Sequence, residues 1–248
     1  MKVHSEAFWK EPQRPNTRLE KVRNISSTAI VIGIGATSGG GKTRIAEELE
    51  KTLNNAKTVH FDEFDDTTEH PADMRSWLQS GANYNEFKTP GLTKRLLELK
   101  RSDSHEFIAD QDRFIVFDAP LGRAHRETGQ LIDLMVFLDT PLDIAMARRL
   151  VRDGFQDNPE LALKGYLEWS RDLFLEHIHQ LSTTSDLILD GTLQPSVLVA
   201  HIVDELKKRR SECSSSAQAI SRSKSPTKPV FNCAMTTAEI KADYDATK

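Results

Sequence analysis

The sequence predicts an α/β fold, a parallel sheet flanked by helices, and three observations carry that expectation. Short apolar runs, Ala29-Ile30-Val31-Ile32, Arg113 to Asp118 and Leu134 to Leu138, read as strands. Stretches with apolar residues at helical spacing lie between them, beginning with Ile45, Leu49 and Leu53. The alternation gives βαβ units and therefore parallel pairing. A glycine-rich turn, Gly33 to Thr43, follows the first apolar run directly and opens the first helix.

In chain order, residues 1–26 mix basic and acidic side chains with Pro12 and Pro15 and show little period, so they read as a peripheral arm. After the first helix, Lys57 to Phe61 forms a short strand ending in the acidic cluster Asp62-Glu63-Phe64-Asp65-Asp66. Residues 67–91 are irregular but carry Trp77, Tyr84 and Phe87, which suggests a substrate cover rather than a linker. Leu92, Leu96, Leu97 and Leu99 then make a helical stripe before the strand ending at Asp118.

The strand from Leu134 stops at Asp139, and Thr140-Pro141-Leu142-Asp143 starts a helix with a capping hydroxyl, proline at the first helical position and an acid three residues after the cap. An amphipathic stretch follows from about Glu160 to Leu181. The strand Asp186 to Asp190, a turn at Gly191 and a helix from Pro195 to about Arg209 close one domain spanning 27–210. Residues 211–248 shift to Ser, Thr, Ala, Lys and Pro, a composition expected to be disordered.

Composition narrows the function classes. A net charge of −4 argues against a nucleic-acid footprint over the whole surface. Cys213 and Cys233 both lie in the polar tail, so neither a disulfide framework nor a cysteine zinc site is expected. No apolar run approaches the ~20 residues of a membrane span, and no secretory core is visible, so a cytoplasmic protein is expected.

The turn carries the chemistry. A strand feeding a glycine-rich loop and then a helix aims backbone N–H groups at one point, where donors and helix dipole hold anionic oxygens. Ala36, Thr37, Ser38, Gly39, Gly40, Gly41, Lys42 and Thr43 would cradle phosphates, with Lys42 on the β- and γ-phosphates and the Thr43 hydroxyl on Mg²⁺. Counting back from Lys42 puts Ala36 where the pattern has its first glycine. An alanine there can still turn if its φ is negative.

Strand ends deliver the remaining groups to the same edge. Phosphoryl transfer needs positioning, Mg²⁺ and positive charge around the migrating group, with a base for the acceptor hydroxyl. Asp62 is the candidate base, with Glu63 and Asp65 as alternatives, and it could instead cap the following turn. Asp118 would hold magnesium or start a turn. Arg123, His125 and Arg126 are placed to bind an anionic or hydroxylated acceptor, or to pair with Glu127 at the surface. Arg148, Arg149 and Arg152, three and four apart, form a basic helical side suited to a lid over the phosphates, or a solvated face.

The motif set resembles the uridine kinase, phosphoribulokinase and nicotinamide riboside kinase group of P-loop small-molecule kinases, over about residues 29–208. The carrying features are Ile32-Gly33-Ile34 entering the loop, Gly41-Lys42-Thr43, Phe61-Asp62-Glu63-Phe64, Val116-Phe117-Asp118, and Phe137-Leu138-Asp139-Thr140 leading to Arg148-Arg149-Leu150-Val151-Arg152-Asp153. The resemblance implies a P-loop NTPase three-layer sandwich with a five-stranded parallel sheet, and ATP with Mg²⁺. It also implies Asp62 as acceptor-side base and metal neighbour, the three arginines on the triphosphate, and Gly191 bordering the adenine. Ala36, Asp118 where the group commonly has a glutamate, and the acidic run Asp153 to Asp157 depart from its pattern. The expected activity is transfer of the γ-phosphate to a hydroxyl of a small metabolite, a nucleoside or related riboside among the options. The alternative is a nucleotide-binding regulatory protein without transfer. A GTPase switch is disfavoured, because neither an Asn-Lys-x-Asp nor an Asp-x-x-Gly signature occurs.

Overall fold

In the computed structural model of the chain, residues 29–101, 105–108, 111–153 and 158–222 are described. Five strands, β1 (Ile30–Gly35), β2 (Ala56–Val59), β3 (Phe114–Asp118), β4 (Leu134–Asp139) and β5 (Leu187–Asp190), form one sheet in the order β2-β3-β1-β4-β5, all pairs parallel. The helices are α1 (Lys42–Thr52), α2 (Met74–Gln79), α3 (Pro90–Lys100), α4 (Arg126–Gly129), α5 (Leu142–Asp153), α6 (Pro159–Gly165), α7 (Arg171–Thr184) and α8 (Pro195–Arg222). This is the five-stranded α/β sandwich that the sequence predicts.

Because β1 lies between β3 and β4, the chain leaves it toward one edge and later returns to build the other. A crevice therefore opens at its carboxyl end. Register aligns the strand ends there: Ile34 pairs with Asp118, Gly35 with Phe137, and Asp139 with Asp190.

Both faces of the sheet are covered, as continuous apolar strands require. On one face Val31, Ile115, Phe117, Met135 and Phe137 pack with Leu92, Leu96 and Leu99 of α3 and Leu181 of α7. Ile32, Ile34, Val116, Val136 and Leu138 alternate to the other face, and Ile45 and Leu49 of α1 are equally buried.

Three elements differ from the sequence reading. The stretch 67–91 is an excursion closed at its base by an antiparallel bridge in which Glu69 and Lys88 exchange N–H···O bonds of 2.9 and 3.0 Å. Its aromatics turn inward. Trp77 packs edge-on to Tyr84 and Phe87 at 5.2 and 5.7 Å, its Nε1–H donates to the Asn83 carbonyl at 2.9 Å, and all three rings are buried, so they are core and not a cover. The amphipathic stretch after residue 158 is broken into α6, a π-helical turn at Tyr166–Ser170 and α7.

The last helix runs to Arg222, past the Arg209 end expected from the loss of apolar period. One compact unit ends at Ile202, and a second begins at Val203. Within the second, Asp204–Lys207, Glu205–Lys208 and Glu205–Arg209 pair along the helix surface, local contacts that a core-seeking pattern does not register. The arm at 1–26, the run Gly154 to Asp157 and residues 223–248 lie outside the described residues.

Leu96 is fully buried against β3 and its neighbours. Leu96→Ala should lower the unfolding free energy by about 2–5 kcal/mol, read from the denaturant midpoint at unchanged slope.

Candidate active site

The curl of the glycine-rich turn is held by its own hydrogen bond and by close packing from α5 and the end of β4. Gly39 has φ +84, and a Cβ there would lie 2.2 Å from the Ala145 carbonyl oxygen of α5. The Gly40 N–H closes a turn onto the Thr37 carbonyl at 2.8 Å, while the Gly40 carbonyl accepts a 3.0 Å hydrogen bond from the buried Thr140 hydroxyl at the end of β4. Thr140 thus spends its proton on the turn, beyond the capping role its sequence suggests. Gly191, after β5, completes the buttress: a Cβ there would sit 1.9 Å from Thr140 Oγ1, so only glycine admits that close approach.

Ala36 occupies the missing-glycine position without left-handed backbone. Among the described residues only Asn55 and Ala82 are non-glycine residues with positive φ. The methyl is buried and faces Gly40, where a side chain would come within 2.7 Å of it. Gly41 caps α1 with no side-chain hydrogen bond, and the first turn of the helix contains no acidic residue. The helix N-terminus is left electropositive and facing the turn.

Beside it, the Thr43 hydroxyl donates to Asp118 Oδ2 at 3.2 Å, a bond joining the start of α1 to the end of β3. Asp118 is 5% exposed, and its Oδ1 is buried without a protein partner. Burial pushes its pKa up; the Lys42 ammonium and the Thr43 hydroxyl pull it down, and the Asp62 carboxylate raises it further. Lys42, Asp118 and Asp62 therefore share one electrostatic neighbourhood. An oxygen donor set with one orphaned carboxylate oxygen fits a hard divalent cation such as magnesium. Asp62 itself is exposed on the 3₁₀ turn Phe61–Thr67, which carries the chain from β2 toward the excursion.

Arg148 is exposed on α5, and its guanidinium lies 3.4 Å from the Gly191 carbonyl. Arg149 and Arg152 follow on the same helix. The arginines thus rise from the element that buttresses the turn.

The post-β3 residues behave differently. Arg123 donates to Asp186 at 2.5 Å, and the same carboxylate oxygen accepts the Met135 N–H at 2.7 Å, so this arginine ties the turn to β4. His125 is 1% exposed, with Nδ1 2.8 Å from the Thr128 hydroxyl and Nε2 3.2 Å from the Phe87 carbonyl. Since a carbonyl only accepts, Nε2 carries the proton and Nδ1 accepts from Thr128; burial lowers the pKa and keeps the ring neutral. His125 uses both ring nitrogens in internal bonds, whereas Arg123 makes its bond through one guanidinium nitrogen and leaves Nε buried without a hydrogen-bond partner. Arg126 remains exposed, its N–H bonded to Asn85 Oδ1 at 2.8 Å.

No sequence motif marks His177, yet α7 brings it close to the turn, within reach of the Lys42 ammonium. Burial drives its pKa down to about 4, the Lys42 ammonium adds to the fall, and a hydrogen bond to the Ala36 main chain opposes it. Its Nδ1 lies 3.3 Å from the Tyr84 hydroxyl. No local pattern marks it, because the contact joins residues far apart in sequence.

No family profile matches the chain. The uridine kinase of Clostridium tetani is 24% identical over 205 residues, covering 74% of this chain and 97% of that protein. That of Shewanella frigidimarina is 27% identical over 190 residues, covering 66% and 88%. The uridine kinase of Saccharomyces cerevisiae is 22% identical over 234 residues; this chain spans 46% of its length. Among solved structures, shikimate kinase from Bacteroides thetaiotaomicron aligns with a TM-score of 0.43 at 18% identity over 72% of this chain and 98% of that one.

Thr140→Val keeps the shape but leaves the Gly40 carbonyl buried and unpaired, so unfolding should become easier by about 1–3 kcal/mol, measured by denaturation. The His177 environment predicts a pH effect of definite sign. An unfolded-state pKa near the ordinary 6.5 and a native value of about 4 mean the unfolded chain binds the extra proton between them. His177 thus contributes stability above pH 6.5 that is lost as pH falls toward 4. The drop in melting temperature from pH 7 to pH 5 should be smaller in His177→Gln than in the wild type.

Proposed function

We infer that this chain, a P-loop kinase related to the uridine kinases, moves the γ-phosphate of ATP onto a hydroxyl of a small metabolite, a nucleoside or related riboside. One observation carries the reading. Thr43 and Asp118 are 3.2 Å apart, the second oxygen of Asp118 is buried without a protein partner, and the Lys42 ammonium acts on the same carboxylate. The sequence relatives named above support the reaction class, and their names favour a nucleoside as acceptor.

In this reading the N–H groups of the turn from Ala36 to Thr43, apart from that of Gly40, which closes onto Thr37, hold the phosphate oxygens, and Lys42 holds the charge of the β- and γ-phosphates. Thr43 and Asp118, with Asp62 nearby, are the residues that would hold Mg²⁺. When bound, that ion neutralises charge on the migrating group and favours the ionised form of Asp118. Asp62 accepts the proton of the acceptor hydroxyl, positioned by the turn that leads from β2 to the excursion. Arg148, Arg149 and Arg152 extend from α5 toward the triphosphate, and Gly191 borders the base. Arg126 stays available to the acceptor, whereas the internal bonds of Arg123 and His125 leave them to hold the acceptor side in shape.

Purified protein with MgATP should release ADP when supplied with a nucleoside from a metabolite panel. Lys42→Ala should abolish this, and Asp62→Asn should reduce turnover by about 10²–10⁴-fold with ATP affinity retained. Unaffected turnover in Lys42→Ala would refute the reading. Tight ATP binding with no acceptor phosphorylated would favour a regulatory nucleotide-binding role.

A further inference from the structure

The 3₁₀ turn that carries Asp62 is held through its second half. Its backbone kinks at Phe64, where φ −116° and ψ 17° are non-helical, and the Phe64 carbonyl accepts from two hydroxyls, Thr67 at 3.1 Å and Thr68 at 2.8 Å. The Thr68 N–H closes onto the Asp65 carbonyl at 3.2 Å. Thr67 in turn fits against the first turn of α3 only because Gly91 has no side chain: a Cβ there would lie 2.4 Å from Thr67 Oγ1.

One side chain of the excursion reaches back to this turn. His70 Nε2 lies 3.0 Å from Asp65 Oδ1, and since a carboxylate oxygen accepts, Nε2 carries the proton and donates it. The His70 ring stands edge-on to Phe87, with centroids 5.6 Å apart and planes at 76°. Phe87 is buried, and its carbonyl lies 3.2 Å from His125 Nε2. Two histidines therefore grip one phenylalanine, His125 at its main chain and His70 at its ring. The Glu69–Lys88 bridge adjoins both His70 and Phe87.

We propose that His70 is a positioning residue for phosphoryl transfer: bonded to Asp65 and braced on Phe87, it fixes the turn that presents Asp62 to the side of the site held by His125. The inference rests on reading Asp62 as the base. It also sorts acids that sequence spacing leaves equivalent, because Asp65 is engaged as the anchor, while the Asp62 charge acts on Asp118. Both partners of the His70–Asp65 bond are solvent-exposed, so its contribution is modest. What it supplies is placement: a base must stay within hydrogen-bond reach of the hydroxyl it serves, and a turn free to shift by about 1 Å loses that reach.

The test uses the full-length chain, with MgATP and uridine as probes and hydrogen exchange of residues 61–68 read by mass spectrometry. His70→Phe keeps a ring against Phe87 and removes the donor. Its kcat for ADP release should fall about threefold, the scale of one exposed bond, with MgATP affinity at the wild-type level and exchange in 61–68 quickened. His70→Gln, whose amide can donate to Asp65, should restore both. Asp65→Ala should match His70→Phe, and the double variant should be no slower than either single change, because both break one bond. Wild-type exchange in His70→Phe, quickened exchange with unchanged kcat, a glutamine variant as impaired as phenylalanine, or effects that multiply would each overturn the proposal. So would a loss of about 10²–10⁴-fold in Asp65→Ala, which would make Asp65 itself the base. If the wild-type protein releases no ADP with uridine, uridine fails as acceptor and exchange alone decides the role of His70. Quickening in His70→Phe that His70→Gln reverses upholds it, and unchanged exchange overturns it.

Discussion

The buried hydrogen bond from Thr140 to the Gly40 carbonyl is the constraint on which the site depends. It joins the end of β4 to the turn that follows β1, and it works only because Gly191 lacks a side chain that would displace the threonine. With Gly39 pressed against the Ala145 carbonyl, the turn is moulded by the elements after β4 and not by its own sequence alone. The sheet order places those elements there, because β4 pairs directly with β1.

Charge follows from the same placement. Parallel register brings Asp118 level with Ile34, so the carboxylate arrives beside the start of α1, where Lys42 and Thr43 emerge. Burial alone would favour its neutral form, and the neighbouring ammonium and hydroxyl oppose that. A carboxylate balanced in this way responds strongly to added positive charge, as the proposed binding of magnesium beside it would require.

What could be read from sequence is what is local. Strands β1, β3, β4 and β5 were visible as apolar runs and β2 as a short mixed segment, α1 as a stripe of Ile45 and Leu49, and the turn as glycines before Lys42, since these signals need only neighbouring residues. The aromatics of 67–91 were misleading because Trp77, Tyr84 and Phe87 look exposed in a polar stretch, and only their mutual packing with α3 and β3 makes them core. Arg123 and His125 sat at the right place after β3, but Asp186, Thr128 and Phe87 claim them, and those partners come from tertiary folding. The place of His177 is not legible for the converse reason: a polar residue on an amphipathic helix carries no mark of what the helix docks against. The end of α8 was misjudged because apolar period stops near Arg209 while helix formation continues in a Ser-rich stretch.

A turn held in shape from outside has a thermodynamic consequence. Gly39, Gly40 and Gly191 are kept in place by Ala145 and Thr140, so the turn keeps its curl only while α5 and the end of β4 stay docked, and a local opening of those elements would release it together with them.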